Sequence, residues 1–363
     1  MKKTKGIGLL IALPISIAAL WLAFRNVPMA ELAAYFKNLD YIWLLPAIFF
    51  CLMGYVLRAW RWQHLLSRTR KVTFFSAFHP MMIGFMLNSI LPGRVGELVR
   101  PALLARKEKI PFVTSFSTIA AERVLDLTVL LAFLSFIFGL TNMGAAETQI
   151  IGGFELSGET LTRIARNMAW ICLALVGGIV FLQVPWMREK EKKLLRGLVL
   201  SFPGLPSGFR KNLSDRLLPA LEKLVDQVAS GFDGLKSPPK LLVCVFLSLC
   251  VWGIQVLPFW FLSQASEGIS ANLIQLAAVM VLVNFFIAIP SVPGFWGIWE
   301  AGVVFSLAFF GIRGADAAGY ALLSHAVLMF PVIFVGLASA FMTGFRISSG
   351  KRASDRESLE SGG

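Results

Sequence analysis

Apolar runs long enough to cross a bilayer recur along this chain and constrain its fold more than any other feature. About 20 apolar residues in a helix cover the ~30 Å of hydrocarbon. Six stretches approach or pass that length: 7–24, 41–57, 111–140, 168–185, 241–264 and 319–345. Within hydrocarbon each backbone amide must find its partner inside the protein, so these runs read as helices. Only 15% of the 363 residues are charged, against ~25% in a soluble domain, which argues against a soluble enzyme. The first run follows three lysines and no small-residue cleavage site closes it, so it reads as an uncleaved span.

The net charge of +13 would raise the question of nucleic acid in a soluble chain. Its distribution gives another cause. With the N-terminus cytoplasmic, the inner side holds three Lys/Arg in 2–5, ten in 58–109, eleven in 186–240 and four after 345. The outer side holds Arg25, Lys37, Arg163, Arg166 and Arg313, with Arg123 near a boundary. That bias places both termini in the cytoplasm and implies no nucleic-acid partner. In segment 186–240, Leu213, Leu217, Leu221, Leu224 and Val228 recur at helical spacing, as in an amphipathic helix on the inner leaflet or on the protein surface. Residues 346–363 read as a disordered cytoplasmic tail, leaving 1–345 as one membrane domain.

Two apolar stretches fit neither span nor loop. Thr73 to Leu91 has basic clusters at both ends, so it enters and leaves on the inner side as a re-entrant hairpin. Asn272 to Ile312 starts and ends on the outer side, and its last arm, from Ala301, is too short to cross. The two share a pattern. Asn88, Pro92, Gly93, Gly96 and Glu97 in the first match Asn284, Pro293, Gly294, Gly297 and Glu300 in the second, where Pro290 adds a further break. Proline removes a backbone donor and glycine permits tight turns, so P-G-x-x-G interrupts a helix. The expectation is an all-α polytopic membrane protein, with about six full spans and two re-entrant hairpins forming an inverted repeat. Such repeats place substrate where broken helices meet.

Charges gather at these breaks. Arg94, Glu97 and Arg100 flank the first, Glu300 follows the second, and Glu122, Arg123 and Asp126 interrupt the span 111–140. Ionised groups are costly in hydrocarbon, so these seven face the protein interior, pair, or meet a polar ligand. An arginine fork suits a phosphate head group. Arg58, Trp60, Arg61 and Trp62 end the second span and read as interfacial anchors. His64, His79 and His325 read as packing residues, and the four cysteines as small core residues. None has metal-ligand spacing, so no metal is expected. Neither a nucleotide-binding loop, a G-x-S-x-G elbow nor H-E-x-x-H occurs, so no cofactor and no catalytic residue is assigned.

Arg58-Ala-Trp-Arg61-Trp62, the run from Asn88 through Leu91-Pro-Gly-Arg94-Val-Gly96-Glu97 to Arg100, Glu122-Arg123-Val-Leu-Asp126 and Pro293-Gly-x-x-Gly297-x-x-Glu300 together resemble the lysylphosphatidylglycerol synthase transmembrane-region family, over roughly 5–345. The resemblance implies a flippase-like domain in a bacterial cytoplasmic (inner) membrane, with membrane lipids as partners. In the full synthases this domain moves aminoacylated phospholipid outward. The chain ends at Gly363, so synthesis of such a lipid is not expected. The function expected is translocation of a phospholipid or other polar-headed amphiphile between leaflets. The alternative is a membrane-embedded transferase or accessory protein acting on a lipid-linked sugar or isoprenoid. A homo-oligomer or a lipid-biosynthesis partner stays open.

Overall fold

The computed structural model describes residues 2–67, 69–141 and 218–345, the strands Gln149–Ile151 and Phe154–Leu156, and a few positions between 163 and 177. The expected span 168–185 lies largely outside the described residues, and all of 186–217 and the expected tail 346–363 lie outside them. Helix α1 is Lys2–Phe24 and α2 is Met29–Lys37, bent 80° from it at Arg25 to Pro28. Then follow α3 (Leu44–Leu66), α4 (Phe74–Ile90), α5 (Gly96–Glu108) and α6 (Phe112–Thr141). The two strands pair antiparallel as a small hairpin. After them come α7 (Leu218–Gly231), α8 (Pro238–Gln264), α9 (Leu273–Phe286), α10 (Ile298–Ala308) and α11 (Gly314–Met342).

Apart from that hairpin the described protein is helical, and it is a polytopic membrane fold. Tyr41–Leu66, Pro238–Gln264 and Gly314–Met342 are long and apolar enough to cross a bilayer. Their outward faces carry Leu45, Phe49, Leu242, Phe246, Phe334 and Phe341, large apolar side chains left exposed as lipid contact requires. Helix α6 has the length, at 30 residues, but carries Glu122, Arg123 and Asp126 in its middle. The four helices beside the breaks are short. Even α4, with 17 residues, reaches only about 25 Å at the rise of an α-helix, less than the hydrocarbon thickness.

The internal repeat is visible in which helix touches which. The sets α3–α4–α5–α6 and α8–α9–α10–α11 follow the same order, and α3 packs lengthwise on α8. Helix α4 packs on α11 as α9 packs on α6, and in each half the short second arm lies between the first arm and the following long helix. The breaks share backbone geometry too. Gly93 and Arg94 have φ of 78° and 51°; Gly294 and Phe295 have 73° and 63°. Two successive left-handed residues after a proline reverse the chain, and glycine takes the first without steric cost.

Close packing within the first hairpin depends on Gly96. A Cβ there would collide with the Gly84 carbonyl oxygen of α4 and come 2.6 Å from Asn88 Oδ1. Gly96→Ala is therefore expected to push α5 off α4 and cost about 1–3 kcal/mol. A lowered melting temperature by size exclusion after heating would record it; an unchanged one would mean that the two arms separate freely.

Helix α7 is docked on protein. Its C-terminal turn, with Ala229 and Gly231 buried, packs on α6, where Thr114 and Ser230 share a hydrogen bond of 3.0 Å. On the opposite side of the repeat, α1 packs against α10 and the second break, where the Val292 N–H donates to Ser16 Oγ at 3.1 Å.

Candidate functional site

Where the two breaks meet, a cavity of about 350 Å³ opens, lined by both hairpins and by α3, α6, α8 and α11. The breaks touch directly. Arg94, from the first, donates to the Ile287 carbonyl of the second and lies 5.6 Å from the Phe295 ring. Asn88 and Asn284, one from each hairpin, both face the cavity.

The charged wall is built from one face of α3 and one face of α6. Spacing of three and four residues puts Arg58, Arg61 and Trp62 on the same side of α3. Arg61, fully buried, donates to Glu122 Oε1 at 2.9 Å, to Asp126 Oδ1 at 2.6 Å and to Ser248 Oγ at 2.7 Å. Trp252 Nε1 adds a bond to Asp126 Oδ1 at 3.1 Å. Arg100 enters from α5: its Nη2 lies 2.8 Å from Glu122 Oε2, and its guanidinium stacks 3.9 Å over the Trp62 ring. That approach brings the charges together but is off the line of a directed hydrogen bond, so Glu122 Oε2 and the Arg100 Nε keep unused bonding capacity.

Arg58 stands differently. Its Nη1 donates to Gln255 Oε1 at 3.1 Å, and it lies 5.2 Å from each of the Tyr55 and Trp252 rings. Among the described residues it has no ion pair. Arg123 and Arg94 guard the mouth, half-exposed, and their carboxylate partners are distant: Asp126 at 3.8 Å from Arg123 and Glu97 at 3.9 Å from Arg94, which is held by its bond to Ile287.

Behind the second break sits a separate buried pair. His325 of α11 has one ring nitrogen 2.6 Å from Glu300 Oε1 and the other 2.7 Å from the Gly294 carbonyl oxygen. The Gly297 N–H donates to Glu300 Oε2 at 2.6 Å, satisfying a donor at the start of α10. Both ring nitrogens thus face acceptors, which requires either imidazolium beside carboxylate or neutral imidazole beside carboxylic acid. Either way the pair is neutral overall and holds one shared proton. It occupies the place in the second half that Arg100 and Glu122 occupy in the first, joining the short arm to the long helix that follows.

The family model for the lysylphosphatidylglycerol synthase TM region matches residues 7–336. The chain belongs to this family. It is 24% identical, over 80% of its length and 81% of the relative's, to the UPF0104 membrane protein MJ1595 of Methanocaldococcus jannaschii. It is 22% identical, over 95% and 98%, to a UPF0104 membrane protein of Methanothermobacter thermautotrophicus. It is also 22% identical, over 93% of its length, to glycosyltransferase AglD of Haloferax volcanii, of which it covers 54%. No solved structure matches it.

In this family member, five of the seven side chains expected at a head-group site line the cavity: Arg94, Glu97, Arg100, Arg123 and Asp126. Glu122 and Glu300 stand behind the wall, fully buried and bonded to arginine and to histidine respectively. The break residues Asn88, Gly96, Asn284 and Gly294 also line it. The expectation of interfacial anchors needs correction. Trp60 is half-exposed, as an anchor would be, but Arg58, Arg61 and Trp62 are buried because the face of α3 that carries them turns inward onto α6 and α8. Ser248, Trp252 and Gln255 were missing from the sequence-based set. Their spacing of four and three on α8 was the available signal, since a polar stripe in an apolar helix faces protein or water. Among the described residues no cluster of His, Cys, Asp and Glu could hold a metal ion.

Proposed function

We propose that the protein moves a polar-headed membrane lipid between leaflets, the head group passing through the cavity while the tails remain in hydrocarbon. The observation that carries this reading is the junction of the two breaks: irregular backbone from both hairpins meets four arginines at one cavity inside a membrane fold. Such backbone is tolerated at membrane depth only against protein or a wet space, and arginine forks suit phosphate. The basic bias of the inner loops supports cytoplasmic termini, and a cytoplasmic membrane is the setting proposed. A transferase reading has a reason in the relative named as a glycosyltransferase. It would need a carboxylate as base: Asp126 already accepts from Arg61 and Trp252, which leaves Glu97, lining the cavity 3.9 Å from Arg94, as the candidate.

Reconstitution into liposomes with leaflet-labelled anionic, zwitterionic and aminoacylated lipids tests the proposal. Arg94→Ala removes the bridge between the breaks and a cation at the mouth, and is expected to slow exchange about tenfold or more, the equivalent of one charge-assisted hydrogen bond. Equal exchange in wild type, variant and empty vesicles would dismiss translocation.

A further inference from the structure

We infer that the cavity selects a lipid whose head group ends in a phosphomonoester or diphosphate and carries no amine, an inference that rests on the translocase reading above. Charge balance supports it. The cavity wall and the groups paired directly behind it hold five arginines, Arg58, Arg61, Arg94, Arg100 and Arg123, against three carboxylates, Glu97, Glu122 and Asp126. The Glu300–His325 pair adds nothing, because its hydrogen bonds fix it as neutral overall. Two positive charges are left in excess.

That excess sits on built positions. Arg58 is 9% exposed and has no carboxylate partner among the described residues, only Gln255 and two aromatic rings. Arg100 is 3% exposed, shares Glu122 with Arg61, and keeps an Nε without a partner. Uncompensated cations in a sheltered site call for a counter-anion. A zwitterionic lipid brings no net charge, a phosphodiester such as phosphatidylglycerol brings one, and a lysyl ester makes the head group cationic. A phosphomonoester brings about −1.5 to −2 near neutral pH, the amount that cancels the wall. Anionic partners for an amine are correspondingly committed: Glu122 and Asp126 are both held by arginine and Glu97 lies at the mouth beside Arg94, while the cavity-lining acceptor left without a partner among the described residues, Asn88 Oδ1, is neutral.

The full chain in nanodiscs would be equilibrated with phosphatidic acid, phosphatidylglycerol, phosphatidylcholine and lysyl-phosphatidylglycerol of identical tails, and retained lipid measured by native mass spectrometry. Phosphatidic acid is expected to be retained about tenfold or more over phosphatidylglycerol, the effect of one further ion pair in a sheltered site, with the lysyl lipid weakest. Arg58→Gln should shrink that preference severalfold, and Arg58→Lys should restore part of it. The ranking on the wild-type protein needs no variant, so a misfolded variant would not obscure the answer. A lysyl lipid retained as well as phosphatidic acid would overturn the inference. So would protection by inorganic phosphate with no retention of phosphatidic acid, which would make free phosphate the ligand. Leaflet exchange without preference for the monoester would sink the selectivity and spare translocation; preferential retention without exchange would do the reverse.

Discussion

Arg61→Met is expected to cost about 3–5 kcal/mol, the penalty for removing one partner of a buried ion pair, and to leave little folded protein in detergent. The magnitude follows from what stays behind. Glu122 would keep Arg100, but Asp126 would keep only the Trp252 indole and the loose Arg123 contact. Of the two stranded carboxylates, Asp126 is therefore the worse off. Adding Asp126→Asn to Arg61→Met should recover more stability than adding Glu122→Gln, because the latter also strips Arg100 of its counter-ion. Melting temperatures of the single and double variants by fluorescence-detected size exclusion decide it. A wild-type value for Arg61→Met, or a better rescue from the Glu122 change, would show that the α3–α6 contact does not depend on this ion network.

The membrane class, the two breaks and most of the charged wall were legible in the sequence, because each rests on a local rule. Long apolar runs have one solution in lipid, and P-G-x-x-G interrupts a helix wherever it falls. The role of α3 was not legible. Arg58, Arg61 and Trp62 lie at the end of an apolar run, the usual place of interfacial anchors. Only the packing of α3 along α8 shows that their face turns inward, where Ser248, Trp252 and Gln255 meet it. Local pattern records that a residue is polar; which neighbour takes the bond is a tertiary fact. Glu300 illustrates the same gap. Its place after the second break suggested a ligand-facing carboxylate, whereas it caps the N-terminus of α10 and is closed off by His325, 25 residues further on.

The repeat also explains why the halves differ. Each needs a buried polar pair to tie its short arm to the following long helix, and a second charged network would have doubled the cost of burying ions. In the first half Arg100 and Glu122 form the tie and leave bonding capacity open beside the cavity. In the second, Glu300 and His325 form it with every hydrogen bond made and no net charge. On the proposed function, the first hairpin is thus the half with bonding capacity open to an anion, and the second is the half whose polar groups are already paired.

That division predicts unequal effects within a single pair. His325→Ala would leave Glu300 with only the Gly297 N–H, strip the Gly294 carbonyl of its donor and empty the ring space beside Trp296 and Trp299. A cost of about 3 kcal/mol or more is expected. Glu300→Gln should be mild, about 1 kcal/mol or less. The amide oxygen still accepts from Gly297, its N–H donates to one imidazole nitrogen, and the neutral ring keeps its other N–H on Gly294. Only the second amide N–H is left without a partner, and the overall charge is unchanged because a neutral pair has been replaced by another neutral pair. Tm values of the two variants check the proton count directly. If Glu300→Gln proved as damaging as His325→Ala, the pair would be imidazolium beside carboxylate rather than imidazole beside carboxylic acid, with its overall charge still zero.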